Sequence, residues 1–141
     1  MKDKLLVGMD EIVLLASSDG LLAAEVHMPP GGGPPAMHRH DAEEIYRVEA
    51  GRFAIYREQP DGELERVDAG PGDVVHIGPR TPHTVRNEAG EPARAYVVYS
   101  PGPPMEGFVR AAAALAADGP PAMADVLAVA ERHGVEITRP L

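Results

Sequence analysis

Hydrophobic and polar residues alternate in short runs through the first hundred residues of this chain. Alternation with a period of two is typical of strands with one buried face, and Gly or Pro residues bound several of the runs. Short strands at this spacing, without helical patterns between them, favour a sandwich or barrel over a parallel α/β sheet. The sequence predicts strands at residues 12–16, 21–28, 44–48, 52–58, 64–67, 73–77, 83–87 and 93–99.

The pattern changes beyond the first 104 residues. Residues 108–117 are rich in Ala, and residues 123–133 place apolar side chains at helical spacing. Gly134 stands where a helix commonly ends. We therefore predict a barrel over residues 1–104 and, over residues 105–141, a tail of two short helices packed on its exterior. If the helices are peripheral, removal of the tail should leave the barrel's chemistry intact.

Composition limits the partners of the chain. Its 141 residues suffice for one domain, and the net charge of −9 without a run of Lys or Arg makes nucleic acid an unexpected partner. No segment approaches the roughly 20 apolar residues of a membrane span or the core of a signal peptide, so we predict no membrane partner and a cytoplasmic location. Residues 5–7 and 12–15 could form a homodimer interface or close the protein's own sheet.

Cysteine is absent, which excludes disulfides, thiolate zinc sites, iron–sulfur clusters and a Cys nucleophile. Any metal must be held by nitrogen and oxygen. His38 and His40 would project to the same side of an extended strand and could share one ion. Glu44 lies an even number of positions further on, although the residues between are expected to bulge.

A second segment, from Gly72 to Asn87, offers a third imidazole at His83 beside a tight turn. Together with residues 32–51, this segment resembles the paired motifs of the cupin superfamily. The first motif matches throughout. The second matches at its glycine, histidine and asparagine, but Gly78 and Arg80 replace the usual Pro and Gly, which leaves the conformation of the turn open.

The resemblance, which covers about residues 20–100, implies an all-β fold: a cupin jelly-roll β-barrel with a short C-terminal helical tail. It also implies that His38, His40, Glu44 and His83 hold one divalent transition metal ion inside the barrel mouth. Imidazole and carboxylate ligands suit Fe, Mn, Ni, Cu or Zn, so the metal stays open. The tail bears a weaker resemblance to small cupins similar to flavonol dioxygenases.

Two further residues are candidates for catalysis beside Glu44. His76 could line the pocket as a general base or could point outward, and the sequence favours neither. Tyr46 follows Glu44 by two positions, so strand alternation places it on the ligand face. It could bind substrate or simply fill the core.

Four protein ligands would leave one or two metal positions free for a small-molecule substrate. Our first hypothesis is an oxygen-dependent enzyme, a dioxygenase acting on a flavonol-like or polyketide-like substrate, with His76 or Glu44 removing a hydroxyl proton. The second is a redox-neutral isomerase or cyclase that uses the metal as a Lewis acid. The third is a non-catalytic module that binds a small molecule or a metal.

Overall fold

Eleven strands and two helices make up the described part of the chain, residues 3–141 of a computed structural model. Met1 and Lys2, the first residues of the predicted barrel region, lie outside the described residues. The first ten strands are β1 (Asp3–Val7), β2 (Asp10–Ser17), β3 (Leu22–Met28), β4 (Ala36–Arg39), β5 (Glu43–Ala50), β6 (Phe53–Glu58), β7 (Leu64–Ala69), β8 (Val74–Ile77), β9 (His83–Arg86) and β10 (Ala93–Ser100). They are followed by α1 (Pro103–Leu115), α2 (Met123–Arg132) and β11 (Glu136–Pro140).

The strands form two antiparallel sheets. The larger sheet has the order β1-β2-β3-β10-β5-β8, and the smaller sheet has the order β11-β4-β9-β6-β7. The alternation seen in the sequence is the alternation of the sheet faces: in β5 and β10 every second side chain is buried. The all-β expectation with two short C-terminal helices is confirmed.

The core lies between the inner faces of the two sheets. The buried cluster draws residues from both sheets, and five of its fully buried members are Leu14, Phe53, Ile55, Ala95 and Val97. Aliphatic side chains fill most of this space, and Tyr46, Phe53 and Tyr99 are the buried aromatic members of the cluster, because the chain has no Trp and few aromatics. Helix α1 extends the core, since Met105 on its first turn joins the same cluster.

Three strands were absent from the sequence prediction. β1 pairs with β2, so residues 5–7 extend the protein's own sheet. β4 is a short strand that carries His38. β11 lies within the tail, where the sequence predicted helices alone, and it pairs with β4. Its charged and polar side chains give it little hydrophobic pattern, so only its partner strand makes it a strand.

The helices also differ from the prediction at their ends. Helix α1 begins at Pro103, five residues earlier than expected, because proline is tolerated in the first helical turn. It ends at Leu115, two residues before the predicted end, and helix α2 ends at Arg132, one residue before its predicted end. Within residues 3–141, neither helix has the length and apolar character that crossing a membrane requires.

Candidate metal centre

Three imidazoles meet where the two sheets approach each other. His38 lies on β4, His40 directly follows that strand, and His83 begins β9. His38 and His83 are direct partners across the β4–β9 pair. One nitrogen from each of the three rings lies within 4.8 Å of the others, a spacing that could hold a metal ion. The two sequence motifs therefore meet in space through a single strand pairing.

Glu44 reaches the same point from the opposite sheet. The chain leaves the smaller sheet after His40, bends at Asp41 and enters the larger sheet at Glu43. The expected bulge is therefore a crossing between sheets. It sets one carboxylate oxygen of Glu44 3.1 Å from Nε2 of His40 and the other 3.2 Å from Nε2 of His83.

The backbone fixes which nitrogen of each buried ring faces the centre. Nδ1 of His40 lies 2.8 Å from the carbonyl oxygen of Ala42, and Nδ1 of His83 lies 2.8 Å from that of Thr81. A carbonyl can only accept a hydrogen bond, so each Nδ1 must carry the proton and donate it. In the neutral rings, each Nε2 then presents a lone pair to the centre.

Those two lone pairs have no partner among the described residues. His40 and His83 are 3 % and 1 % exposed, and the Nε2 atom of each lacks a hydrogen bond although Glu44 is close. Acceptor atoms facing a carboxylate in a buried site repel each other unless a proton or a metal cation lies between them. Burial acts to lower the pKa of His83, but the charge of Glu44 outweighs it and raises that pKa, so this ring and the carboxylate favour a shared positive charge. A metal ion would bind both Nε2 atoms and the carboxylate at once. The residues present therefore fit the divalent metal ion that the two sequence motifs imply.

Electrostatics keep the site ready for a cation. Burial acts to raise the pKa of Glu44, but the nearby rings of His83 and His40 outweigh it and hold that pKa well below its usual value. Burial, together with His83, lowers the pKa of His38 to about 3. Near neutral pH the centre therefore offers a charged carboxylate and a neutral His38, the forms that bind divalent metals.

The three imidazoles differ in their access to solvent. His40 and His83 are buried, whereas His38 keeps intermediate exposure. His38 is therefore the most accessible of the three residues.

Tyr46 lies on the ligand face of β5, as the alternation predicted, and it is 7 % exposed. Tyr99 is the direct cross-strand partner of Glu44, and Val97 is that of Tyr46, so the two tyrosines are diagonal neighbours on this face. Burial, with the charge of Glu44 adding to it, raises the pKa of both tyrosines above the usual value. Both phenols therefore stay protonated near neutral pH beside the carboxylate.

His76 does not point into the barrel. It is exposed on the outer face of β8, where its Nε2 lies 2.8 Å from a carboxylate oxygen of Glu43. Its neighbours Val75 and Ile77 take the inward positions, so alternation forces His76 outward. Of the two orientations that the sequence left open for His76, the structure therefore has the outward one.

The unusual turn of the second motif is accommodated by strain at one residue. Arg80 has a φ of +60°, the left-handed conformation that glycine adopts without cost, and it stands where the motif usually has Gly. Its backbone N–H donates to the carbonyl of His40 over 2.8 Å. The turn therefore keeps the glycine-like conformation and connects the two motifs.

Sequence reasoning missed two residues near the centre. Tyr99 was seen only as part of a strand, because its position opposite Glu44 depends on the pairing of strands 50 residues apart. Arg57 is the cross-strand partner of His83, and its guanidinium donates to Glu65 and to the carbonyl of His76. No local signal marks either residue.

Comparison with known proteins gives one family and many similar folds. The family model for the cupin domain matches residues 24–99, more than half of the chain. No curated protein matches by sequence. Solved structures match in large number.

Among the solved structures, TT1209 from Thermus thermophilus is 23 % identical, with a TM-score of 0.57 over 72 % of this chain and 85 % of that one. KdgF from a Halomonas species is 22 % identical, with a TM-score of 0.60 over 70 % of this chain and 87 % of that one. Oxalate decarboxylase from Bacillus subtilis is 19 % identical, with a TM-score of 0.63 over 72 % of this chain but 27 % of its own length. At these identities the likeness extends to the fold alone.

Proposed function

The chain belongs to the cupin family, and from that premise we propose that it is a metal-dependent enzyme acting on a small oxygenated substrate, most specifically a dioxygenase. The proposed ligands are His38, His40, Glu44 and His83, and the metal is one of Fe, Mn, Ni, Cu or Zn. The substrate class is an aromatic compound with adjacent oxygens, of flavonol or polyketide type.

The orphaned Nε2 atoms of His40 and His83 carry the metal part of this proposal. Two buried acceptors beside a charged carboxylate cost free energy, of the order of 1–3 kcal/mol for each unsatisfied group, unless a proton or a metal cation binds them, and only a metal cation can bind both acceptors and the carboxylate together. Proteins keep such costly arrangements where function needs them. When bound, the metal would orient substrate oxygens and make the substrate electron-rich enough to react with dioxygen.

Three residues of the chain supply the proton chemistry. Glu44 is the proton acceptor that remains once His76 is placed outside the barrel, and it could take the proton of a substrate hydroxyl. Tyr46 and Tyr99 stay protonated and could donate hydrogen bonds to substrate oxygens near Glu44. In a dioxygenation both oxygen atoms enter the substrate, which itself supplies the electrons, so no other reductant is required.

The cluster of Glu44, Tyr46 and Tyr99 also supports a second candidate function, that of a redox-neutral isomerase or cyclase. A carboxylate next to two phenols can take a proton from one carbon and return it to another without dioxygen. The solved structures named above support enzymatic chemistry in general, since one is by its name a decarboxylase of a small carboxylic acid. They do not favour either reaction over the other.

The test begins with elemental analysis of the protein purified from its native host without added metal or chelator. Near one equivalent of metal is expected, and the His83→Ala variant should retain much less. Oxygen consumption is then measured with flavonol-like and catechol-like compounds, in parallel with product analysis under anaerobic conditions.

The outcomes separate the candidates. Substrate-dependent oxygen uptake that requires His83 supports the dioxygenase. Turnover that continues without oxygen supports the isomerase or cyclase. A protein that holds metal or small molecules without turnover is the non-catalytic binding module, and a protein that refuses added metal contradicts the proposal as a whole.

A further inference from the structure

The strand that carries His38 depends on the C-terminal segment for its pairing. β4 has a single partner residue in β9, the pair His38 and His83. On its other side all four residues of β4 have partners in β11, with Ile137 opposite His38 and Glu136 opposite Arg39. The backbone N–H of Leu141 extends this contact by donating to the carbonyl of Pro35. Without β11, β4 would be an edge strand joined to its sheet at one position.

Side-chain hydrogen bonds on the outer face strengthen the contact between β4 and β11. Arg39 stands between His38 and His40 and points away from the centre, where its Nε and Nη2 donate to the two carboxylate oxygens of Glu136 over 2.9 and 3.1 Å. Arg80 also donates to Glu136, over 3.3 Å. Glu136 therefore holds a residue of each motif: Arg39 between two ligands of the first, and Arg80 in the turn before His83.

We infer that the C-terminal strand is a working part of the metal centre and that Glu136 is a positioning residue for it. Glu136 contacts no ligand; it acts through Arg39 and Arg80 to fix the separation of His38 and His40 from His83. This inference rests on the proposed metal site and deepens it. It also reverses the expectation that the tail is peripheral to the barrel's chemistry.

An ordinary surface ion pair would not have this effect, since exposed pairs contribute little. Glu136 differs because its hydrogen bonds to Arg39 are bidentate and because one carboxylate serves two arginines on two ligand-bearing segments. Residues that orient metal ligands directly typically change affinity by about 10- to 100-fold. Glu136 acts one contact further out and is half-exposed, so we expect a loss of about 3- to 10-fold on its neutralisation.

The experiment compares variants of the full chain at Glu136 and at a matched control. Glu88 also accepts two hydrogen bonds from one arginine, Arg66, at 2.9 and 3.1 Å, together with one from the hydroxyl of Tyr56, and none from Arg39 or Arg80. The variants are Glu136→Gln, Glu136→Lys, Glu88→Gln and Glu88→Lys. Each is checked for folding by circular dichroism before measurement.

Three readouts are taken on each protein. Chelator competition gives the affinity for Co(II), and the visible spectrum of bound Co(II) reports the ligand geometry. Hydrogen exchange of the backbone amides of residues 35–40 in the metal-free protein reports how stably β4 is paired in its sheet. We expect Glu136→Gln to weaken Co(II) binding, alter the spectrum and speed exchange, and Glu136→Lys to do so more strongly. Both Glu88 variants should match the wild type in all three readouts.

Failure of the inference and failure of the proposed function give different results. If the wild type binds one Co(II) and the Glu136 variants match it in all three readouts, the inference is wrong and the metal site stands. If folded wild type binds no metal, both are wrong. If affinity falls equally at both positions, the effect is one of general surface charge and the positioning role is again refuted.

Discussion

Replacement of Asp10 by Asn should change how the stability of this protein depends on pH. Asp10 is 8 % exposed at the start of β2, and its carboxylate accepts one hydrogen bond from the backbone N–H of Gly33. Burial raises its pKa from 3.8 to about 6, although that hydrogen bond and the charge of Arg86 act in the opposite direction. The folded protein therefore favours the protonated form more than the unfolded chain does.

The sign follows from the direction of the shift. A group whose pKa is raised on folding stabilises the fold most below its unfolded pKa, and this contribution is lost as pH rises through the folded value. At about 1.36 kcal/mol per pKa unit, a rise of about two units amounts to about 3 kcal/mol over the whole titration. Between about pH 5 and pH 7.5 the expected loss is about 1.4 kcal/mol.

The assay is urea unfolding of wild type and Asp10→Asn at a series of pH values in that window. Asparagine keeps the acceptor for Gly33 but does not titrate, so the wild type should lose about 1.4 kcal/mol relative to the variant as pH rises. Asp68→Asn is the control: the hydrogen bond from Arg52 lowers the pKa of that exposed carboxyl, so it does not titrate in this window and its difference from the wild type should stay constant. A constant difference between wild type and Asp10→Asn across the window would refute the reasoning.

Three further predictions follow from the centre and its turn. His83→Ala and His40→Ala should each lower metal occupancy in elemental analysis, and unchanged affinity in either would refute the ligand assignment. His76→Ala should leave metal content and turnover at wild-type values, because its side chain lies on the outer face; a large loss of turnover would return it to the site. Arg80→Gly should be more stable in urea unfolding than Arg80→Ala by about 1 kcal/mol, since an L residue pays that cost at a φ of +60° and glycine does not. Equal stability of those two variants would show that the turn relaxes.

The sequence by itself determined the fold class and pointed to the candidate donor set. Period-two alternation identifies strands because successive side chains of a strand point to opposite faces, and this reasoning placed Tyr46 inside the barrel correctly. Applied to β8, whose Val75 and Ile77 read as inward residues, the same alternation would have placed His76 outside. The prediction left both orientations open and the structure chose one. The spacing of the His and Glu residues in two motifs identified the family, which the family model confirms.

Tertiary structure decided what depends on pairing between distant segments. Tyr99 faces Glu44 because β5 pairs with β10, and a register between strands so far apart leaves no trace in either strand alone. β11 is a strand only because β4 offers an unpaired edge, and its own sequence carries no strong hydrophobic pattern. Local sequence determines on which face of the sheet a side chain lies, whereas the neighbouring strand determines which residues that side chain contacts. For this reason the candidate ligands could be predicted from the chain, whereas the contacts of Glu136 with Arg39 and Arg80 could not.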